Sequence, residues 1–293
     1  MKLICVGDAM LDVVVRYRGT INTNSDTPSE ISIQSGGAGA NTAAWAARIG
    51  LDVTFVGRVG DDFAGQSFLS ELRRSSVNFG DIVTPGVNTG TVAVLVDANG
   101  ERTMFPSIGA NSSLTDEDFP NPDHGALFVS GYSLFNKEIS ETVSQAMLRT
   151  RKLGLPIFLD PASTGILKQF EFGDIYRLIS QSDFLFLNEE ESSFLTSQSE
   201  VESSLDFLLE YVNCVAIKCG AKGSIGKIRG GKAISISASQ TKVVDTTGAG
   251  DAFAAGFISN WLNSADLESS LKAGAALAAQ CVANIGARPS VIA

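Results

Sequence analysis

Histidine is nearly absent. Among 293 residues there is one, His124, in the turn-like stretch NPDHG. A Ser-His-Asp or Cys-His nucleophile would have to be built on that single ring, and a solvated loop histidine is the simpler reading. Acid–base chemistry, if there is any, falls to carboxylates or lysines. Cysteine is scarce too: Cys5, Cys214, Cys219 and Cys281 contain no C-x-x-C pair and cannot complete a zinc set with one histidine, so they read as buried reduced thiols. Long apolar runs are missing. The start MKLICVGDAM is apolar only from Leu3 to Val6 before Gly7 and Asp8, too short for a signal segment or a membrane span, so a cytoplasmic protein without a membrane partner is expected. Positive charge is short as well, with 22 Lys and Arg against 32 Asp and Glu and a net charge of −10. No basic stripe exists to release counterions, which argues against a nucleic-acid partner. There is no Pro- or Gly-rich linker and no internal repeat, so residues 1–293 are expected to form a single domain.

What is present is a series of short apolar runs: KLICVG, VTFVG from Val53, ALFVSG from Ala126, LPIFLD from Leu155, DFLFLN from Asp183 and CVAIKCG from Cys214. Each is nearly all apolar, as a parallel strand buried on both faces should be. Helical patterns lie between them. In NKEISETVSQAMLRTRKLG, the residues Ile139, Val143, Ala146, Met147 and Leu153 share a face, Asn136 can cap the start and Gly154 the end. The alternation predicts an α/β fold with a doubly wound, mostly parallel central sheet and helices on both faces. Two segments break the pattern, residues 12–34 and 89–106, where polar and apolar residues alternate around turn signals and the second forms a hairpin about DANG. They predict a small antiparallel β sheet projecting from the α/β body, a candidate lid over a cleft.

Three stretches carry chemistry. In SGGAGANTAAWAARIG, Gly36, Gly37 and Gly39 precede a small-residue helix; a plain glycine turn is the alternative, and Thr42 stands where a dinucleotide fingerprint needs its third glycine. In DTTGAGDAF, Asp251 follows a Gly-Ala-Gly turn, and Phe253, Ala254, Phe257, Ile258 and Trp261 are helix-periodic. The N–H groups of Gly248, Ala249 and Gly250 would then lie at the positive end of a helix and bind an anion. An aspartate there is expected to be ionised at neutral pH and able to take a hydroxyl proton; the plainer alternative is an N-terminal cap. In NEEESSF, Asn188 and Glu191 are one helical turn apart at the carboxyl end of a strand, where oxygen ligands suit Mg²⁺ through water; a solvated helix start is the alternative.

Taken together, GDAMLD, GGAGAN, NEEE, KCGAKGS and DTTGAGDAF, in this order through essentially the whole chain, resemble the ribokinase family, the PfkB-type carbohydrate kinases. The resemblance implies a ribokinase-like fold and transfer of the γ-phosphoryl of MgATP to a hydroxymethyl group. It makes Asp251 the catalytic base and Gly248, Ala249 and Gly250 the anion hole. Asn188 and Glu191 match the pair that governs Mg²⁺ and phosphate. Asp12, Gly37 and Asn41 match the substrate side, a carboxylate being able to accept two hydrogens from a vicinal diol. Lys218, Gly220 and Gly223 look like the nucleotide loop, and Asn284 flanks the adenine. Asp245 and Thr247 match positions around a monovalent-cation site, implying K⁺ as an activator.

The acceptor stays open. Ala38 stands where ribose-specific members commonly carry Lys, and SGYS, with Gly131 and Tyr132, lacks their acidic sugar contact. The lid residues Arg16, Arg18 and Arg102 would suit a carboxylate or phosphate, or merely blunt exposed strand edges, whereas Tyr17 and Phe105 could stack on a nucleoside base such as that of pseudouridine. A ligand-binding regulator on a kinase fold and a nicotinamide dehydrogenase are the other classes, the second lacking its glycine pattern. Lid edges in this family often pair between subunits, which implies a homodimer.

Overall fold

The computed structural model describes residues 1–121 and 125–289, so His124 lies outside the described residues. In chain order the strands are β1 (Lys2–Val6), β2 (Met10–Tyr17), β3 (Ser29–Gly36), β4 (Asp52–Val56), β5 (Val59–Gly60), β6 (Asn78–Phe79), β7 (Val83–Thr84) and β8 (Gly90–Val96). There follow β9 (Arg102–Ser107), β10 (Ala126–Ser130), β11 (Ile157–Asp160), β12 (Phe184–Asn188), β13 (Cys214–Lys218), β14 (Ser224–Ile228) and β15 (Ile234–Ile236). The helices are α1 (Ala38–Arg48), α2 (Phe63–Arg74), α3 (Gly131–Leu134), α4 (Ser140–Lys152), α5 (Thr164–Leu167), α6 (Phe172–Ile179), α7 (Glu189–Thr196), α8 (Val201–Leu208), α9 (Ala249–Ser264) and α10 (Leu267–Val282).

All six apolar runs are strands of one nine-stranded sheet, ordered β15-β14-β13-β12-β11-β10-β1-β4-β6. It is parallel from β6 to β13 and antiparallel at β14 and β15. The runs are apolar throughout because both faces are covered. Phe158 of β11 packs with Phe186, Phe253 and Phe257 on one side, under α1, α9 and α10, while its neighbours Ile157 and Leu159 pack with Met147, Ile175 and Leu205 on the other. The order of strands reverses between β1 and β10. Doubly wound sheets open a crevice at such a point, at the carboxyl ends of the strands.

Helix α4 starts at Ser140 rather than Asn136. The intervening residues form a turn in which Ser140 N–H donates to Asn136 O at 2.8 Å, and Gly154, at φ 69, closes the far end.

The two aberrant segments form a separate sheet ordered β3-β2-β8-β9. Each segment is an antiparallel hairpin, β2 with β3 and β8 with β9, but the two hairpins join through a parallel β2–β8 pair. At the DANG tip, Asp97 Oδ1 accepts from the N–H groups of Asn99 and Glu101, at 2.8 and 2.9 Å. Cross-strand partners point the same way and neighbours alternate. The register Asp12↔Val92↔Pro106 therefore puts Asp12, Val14, Val94, Met104 and Arg102 on one face, with Val14 and Val94 buried. Ile31, Ile33, Ala93 and Phe105 share the other, where Ile31 is 64%, Ile33 62% and Phe105 56% exposed.

Candidate active site

The DTTGAGDAF stretch becomes the approach to α9. Gly248 caps the helix at φ 78, a left-handed conformation, and a Cβ there would lie 2.5 Å from Ala287 O, so glycine is required twice over. Asp251 sits in the first turn. Its Oδ2 accepts from Asn41 Nδ2 at 2.8 Å, and Asn41 comes from the buried face of α1, the helix that SGGAGANTAAW builds. Asn41 Oδ1 in turn accepts from Arg288 Nε at 3.0 Å, while Arg288 Nη2 donates to Gly36 O at 2.8 Å. The guanidinium also lies 3.2 Å from Glu71 Oε1 and 4.8 Å above the Phe68 ring. Asp12 is near: a Cβ on Gly36 would fall 2.4 Å from its Oδ1, so the bare glycine is the bed of that carboxylate. Gly37, at φ 95, passes so close to Asp8 O that no side chain fits.

Burial dominates the charges. It pushes the Asp251 carboxyl up to about 7, against the Asn41 hydrogen bond and the cations Lys218 and Arg288 and with the help of Asp160. Lost hydration thus works against the ionised form of Asp251 that the helix end was expected to favour. Asp12 is likewise pushed up by burial, to about 6, with Arg288 opposing. Of the three N–H groups assigned to the anion hole, that of Ala249 already reaches Thr246 O at 3.3 Å.

Beside Asp251 lies a second cluster. Asn188 and Glu191 form a reciprocal cap on α7: Glu191 N–H donates to Asn188 Oδ1 at 2.8 Å, Asn188 N–H to Glu191 Oε2 at 2.8 Å, and Asn188 Nδ2 to Glu191 Oε1 at 2.7 Å. Burial first, and Asp160 second, push Glu191 up to about 7. Lys218, largely buried at the end of β13, donates to Asp160 Oδ2 at 2.7 Å. Burial pulls its ammonium down, but Asp160, Glu191 and Asp251 outweigh burial and leave it raised. A Cβ on Gly250 would meet Lys218 Nζ at 3.0 Å, so the ammonium stands directly over the Gly-Ala-Gly turn. Tyr132 stands by the same group: burial raises its hydroxyl, and Asp160, Glu191 and Asp251 raise it further.

A cavity of about 500 Å³ opens from this point. Lys218, Gly220, Gly223 and Gly250 line one end, and Ala279 and Val282 of α10 help wall it. Asn284, expected beside the adenine, is not in that wall. Helix α10 ends at Val282, and Asn284 is exposed with its Nδ2 donating to Gln280 O at 2.9 Å. Phe105 is a second correction, because the strand register sends it to the face of β9 away from Asp12; Met104 takes the cleft side. Tyr17 shares the Phe105 face. Asp245 and Thr247 do come together, with Thr247 Oγ1 donating to Asp245 Oδ1 at 2.6 Å, and Arg102 contacts both.

Sequence reasoning named neither Asp160 nor Arg288 as site residues. Asp160 had a readable signal, since it ends the LPIFLD run at the same sheet edge as Asn188 and Lys218. Arg288 had none, lying in a loop after the last helix.

A family model described as pfkB family carbohydrate kinase matches residues 1–293. The chain belongs to the PfkB family of carbohydrate kinases. Among relatives of this PfkB chain, the ribokinase of Bacillus subtilis is 30% identical, over 98% of this chain and 95% of its own length. The ribokinase of Schizosaccharomyces pombe is 28% identical, over 99% and 95%. In three dimensions the PfkB chain resembles the adenosine kinase of Sinorhizobium meliloti, with a TM-score of 0.88 and 25% identity over 98% of this chain and 95% of that one. The nine-stranded sheet with its small companion sheet is a ribokinase-like fold.

Proposed function

We propose that this PfkB chain transfers the γ-phosphoryl of ATP to the hydroxymethyl group of a sugar or nucleoside, with Asp251 as general base. The observation that carries the reading is the position of Asp251: it is held by Asn41 at the amino end of α9, between the bed of Asp12 and the cavity that Lys218 caps. A carboxyl pushed up to about 7 is matched to proton transfer near neutral pH. As the acceptor oxygen bonds to the γ-phosphorus, the bond to the ADP oxygen breaks and the hydroxyl proton passes to Asp251. The Gly248 and Gly250 N–H groups and the Lys218 ammonium face the charge that moves. Asp12 holds acceptor hydroxyls, and the small sheet that carries it is the lid that excludes water.

The donor chemistry suits Mg²⁺. Burial and the neighbouring Asp160 raise the cost of ionising Glu191, and a hard divalent ion bound through water by Glu191 and Asn188 would relieve it. When bound, such an ion neutralises phosphate charge.

A nucleoside acceptor is the second reading. It is favoured by Met104, an exposed polarisable side chain on the same face of the small sheet as Asp12, and by the similarity to an adenosine kinase. With Arg102 occupied by Asp245, an acidic sugar has fewer free cations to meet. For the homodimer, the exposed Ile31, Ile33 and Phe105 face of the small sheet is the contact we assign.

ADP release from MgATP across ribose, fructose, 2-keto-3-deoxygluconate, adenosine and pseudouridine tests the reading. One strongly preferred acceptor is expected. If no acceptor is turned over while ATP still raises the melting temperature, the ligand-binding regulator replaces the kinase.

A further inference from the structure

The loop that delivers the anion-binding turn, residues 245–248, is held by a cation that belongs to the chain. Arg102 opens β9, and its fork reaches down from the small sheet: Nη1 donates to Thr247 Oγ1 at 2.6 Å and Nη2 to Asp245 Oδ1 at 2.8 Å. Asp245 Oδ1 also accepts from the Thr247 N–H at 3.0 Å and hydroxyl at 2.6 Å, while Oδ2 accepts from Gly286 N–H at 3.2 Å. Three of these bonds converge on Oδ1, which has two lone pairs and is thereby filled, and one falls on Oδ2. Burial works against the charged form, yet the bonds from Thr247, Gly286 and Arg102 hold this carboxyl far below the usual range.

The monovalent cation expected at Asp245 and Thr247 does not fit that set of side chains. It would have to displace the bonds that fill Asp245 Oδ1, and it would meet a fixed charge of its own sign in hydrogen-bonding contact with both residues. We infer that Arg102 replaces this cation: its guanidinium fixes the 245–248 loop, and through it the anion hole, so that turnover does not depend on K⁺. The inference rests on the kinase reading above. A guanidinium suits the task because it is permanently charged, planar and forked, and so spans two oxygens with a set orientation. Arg102 does not line the cavity beside Lys218 and acts through Asp245 and Thr247, so it is a positioning residue. Because it is carried by the small sheet, the charge arrives at the loop with that sheet. On the opposite side of the loop, Cys281 Sγ donates to Thr247 O at 3.3 Å.

The test compares wild type with Arg102→Gln and Arg102→Lys in KCl and in choline chloride at equal ionic strength, by melting temperature and by initial rate. Wild type is expected to melt and turn over equally in both salts. In Arg102→Gln, K⁺ should raise the melting temperature and restore about tenfold in kcat over choline, a size typical of coupling between two sites, with the acceptor KM unchanged. Arg102→Lys keeps the charge and should stay insensitive to K⁺. Stabilisation or acceleration of the wild type by K⁺ overturns the inference, as does an Arg102→Gln enzyme that matches wild type in choline. If the wild type turns over no acceptor, the kinase reading fails by itself and the melting arm decides: K⁺ stabilising Arg102→Gln alone upholds the role of Arg102, and any other pattern removes it.

Discussion

Asp251, Glu191, Asp12 and Asp8 all lose water on folding, and their carboxyls are pushed up to about 7, 7, 6 and 6. In the unfolded chain such groups ionise near pH 4. Between that value and the folded one, the native state binds more protons than the unfolded state, so the stability these sites contribute is complete below about pH 4 and is lost as pH rises toward 7. The unliganded protein should therefore melt at a higher temperature at about pH 5 than at about pH 8, which calorimetry would read directly. Replacing Asp251 by Asn removes a charge that burial disfavours. This variant should melt above wild type at about pH 8 while its kcat falls by roughly 10²–10⁴; near-normal turnover would remove Asp251 from the role of base. Asn41 favours the ionised form of Asp251, so Asn41→Ala should move the acid limb of the kcat/KM profile to higher pH. Asp251 was legible in the sequence because a Gly-Ala-Gly turn before a periodic apolar run announces a helix end. Its perturbed titration was not, since that depends on Asn41 and Arg288, partners distant in the chain.

At the scale of elements, the parallel strands were readable because a strand covered on both faces must be apolar at every position. The start of α4 was misread because Asn136 caps a turn instead of the helix, a choice made by local hydrogen bonds that periodicity does not register. Phe105 was misplaced for a related reason: period two tells which residues share a face within β9, but which face meets Asp12 depends on how β9, β8 and β2 are paired. The parallel β2–β8 junction is a product of tertiary assembly and leaves no local mark. The Asn188–Glu191 pair serves two levels at once, capping α7 and setting a buried carboxylate beside Asp160 and Lys218. Asn188→Ala should cost about 1 kcal/mol in denaturant unfolding through the lost cap, and should also loosen Glu191. Where α1 meets β1, a Cβ on Gly39 would stand 2.6 Å from Gly7 Cα. Gly39→Ala should cost about 1–3 kcal/mol by overpacking, measurable as a lower denaturant midpoint at unchanged slope.

Across the whole molecule, the small sheet has one face committed to the cleft and one apolar face turned outward. Among the described residues no helix is long and apolar enough to cross a membrane, and the outward face suits a second copy of the same sheet. Light scattering should give a mass near two chains, and Ile33→Lys should bring it near one. The proposed catalytic centre also depends on a segment that follows every strand and helix of the described fold: Ala287 O accepts from Trp45 Nε1 at 2.8 Å, Gly286 binds Asp245, and Arg288 holds Asn41, hence Asp251. In ribosomal synthesis these residues emerge after α10. A nascent chain can thus assemble its sheet and the first wall of the cavity beside Lys218 while Asp251 is still unsupported, and on the proposed reading phosphoryl transfer becomes available only after α10 and the loop beyond it have been released.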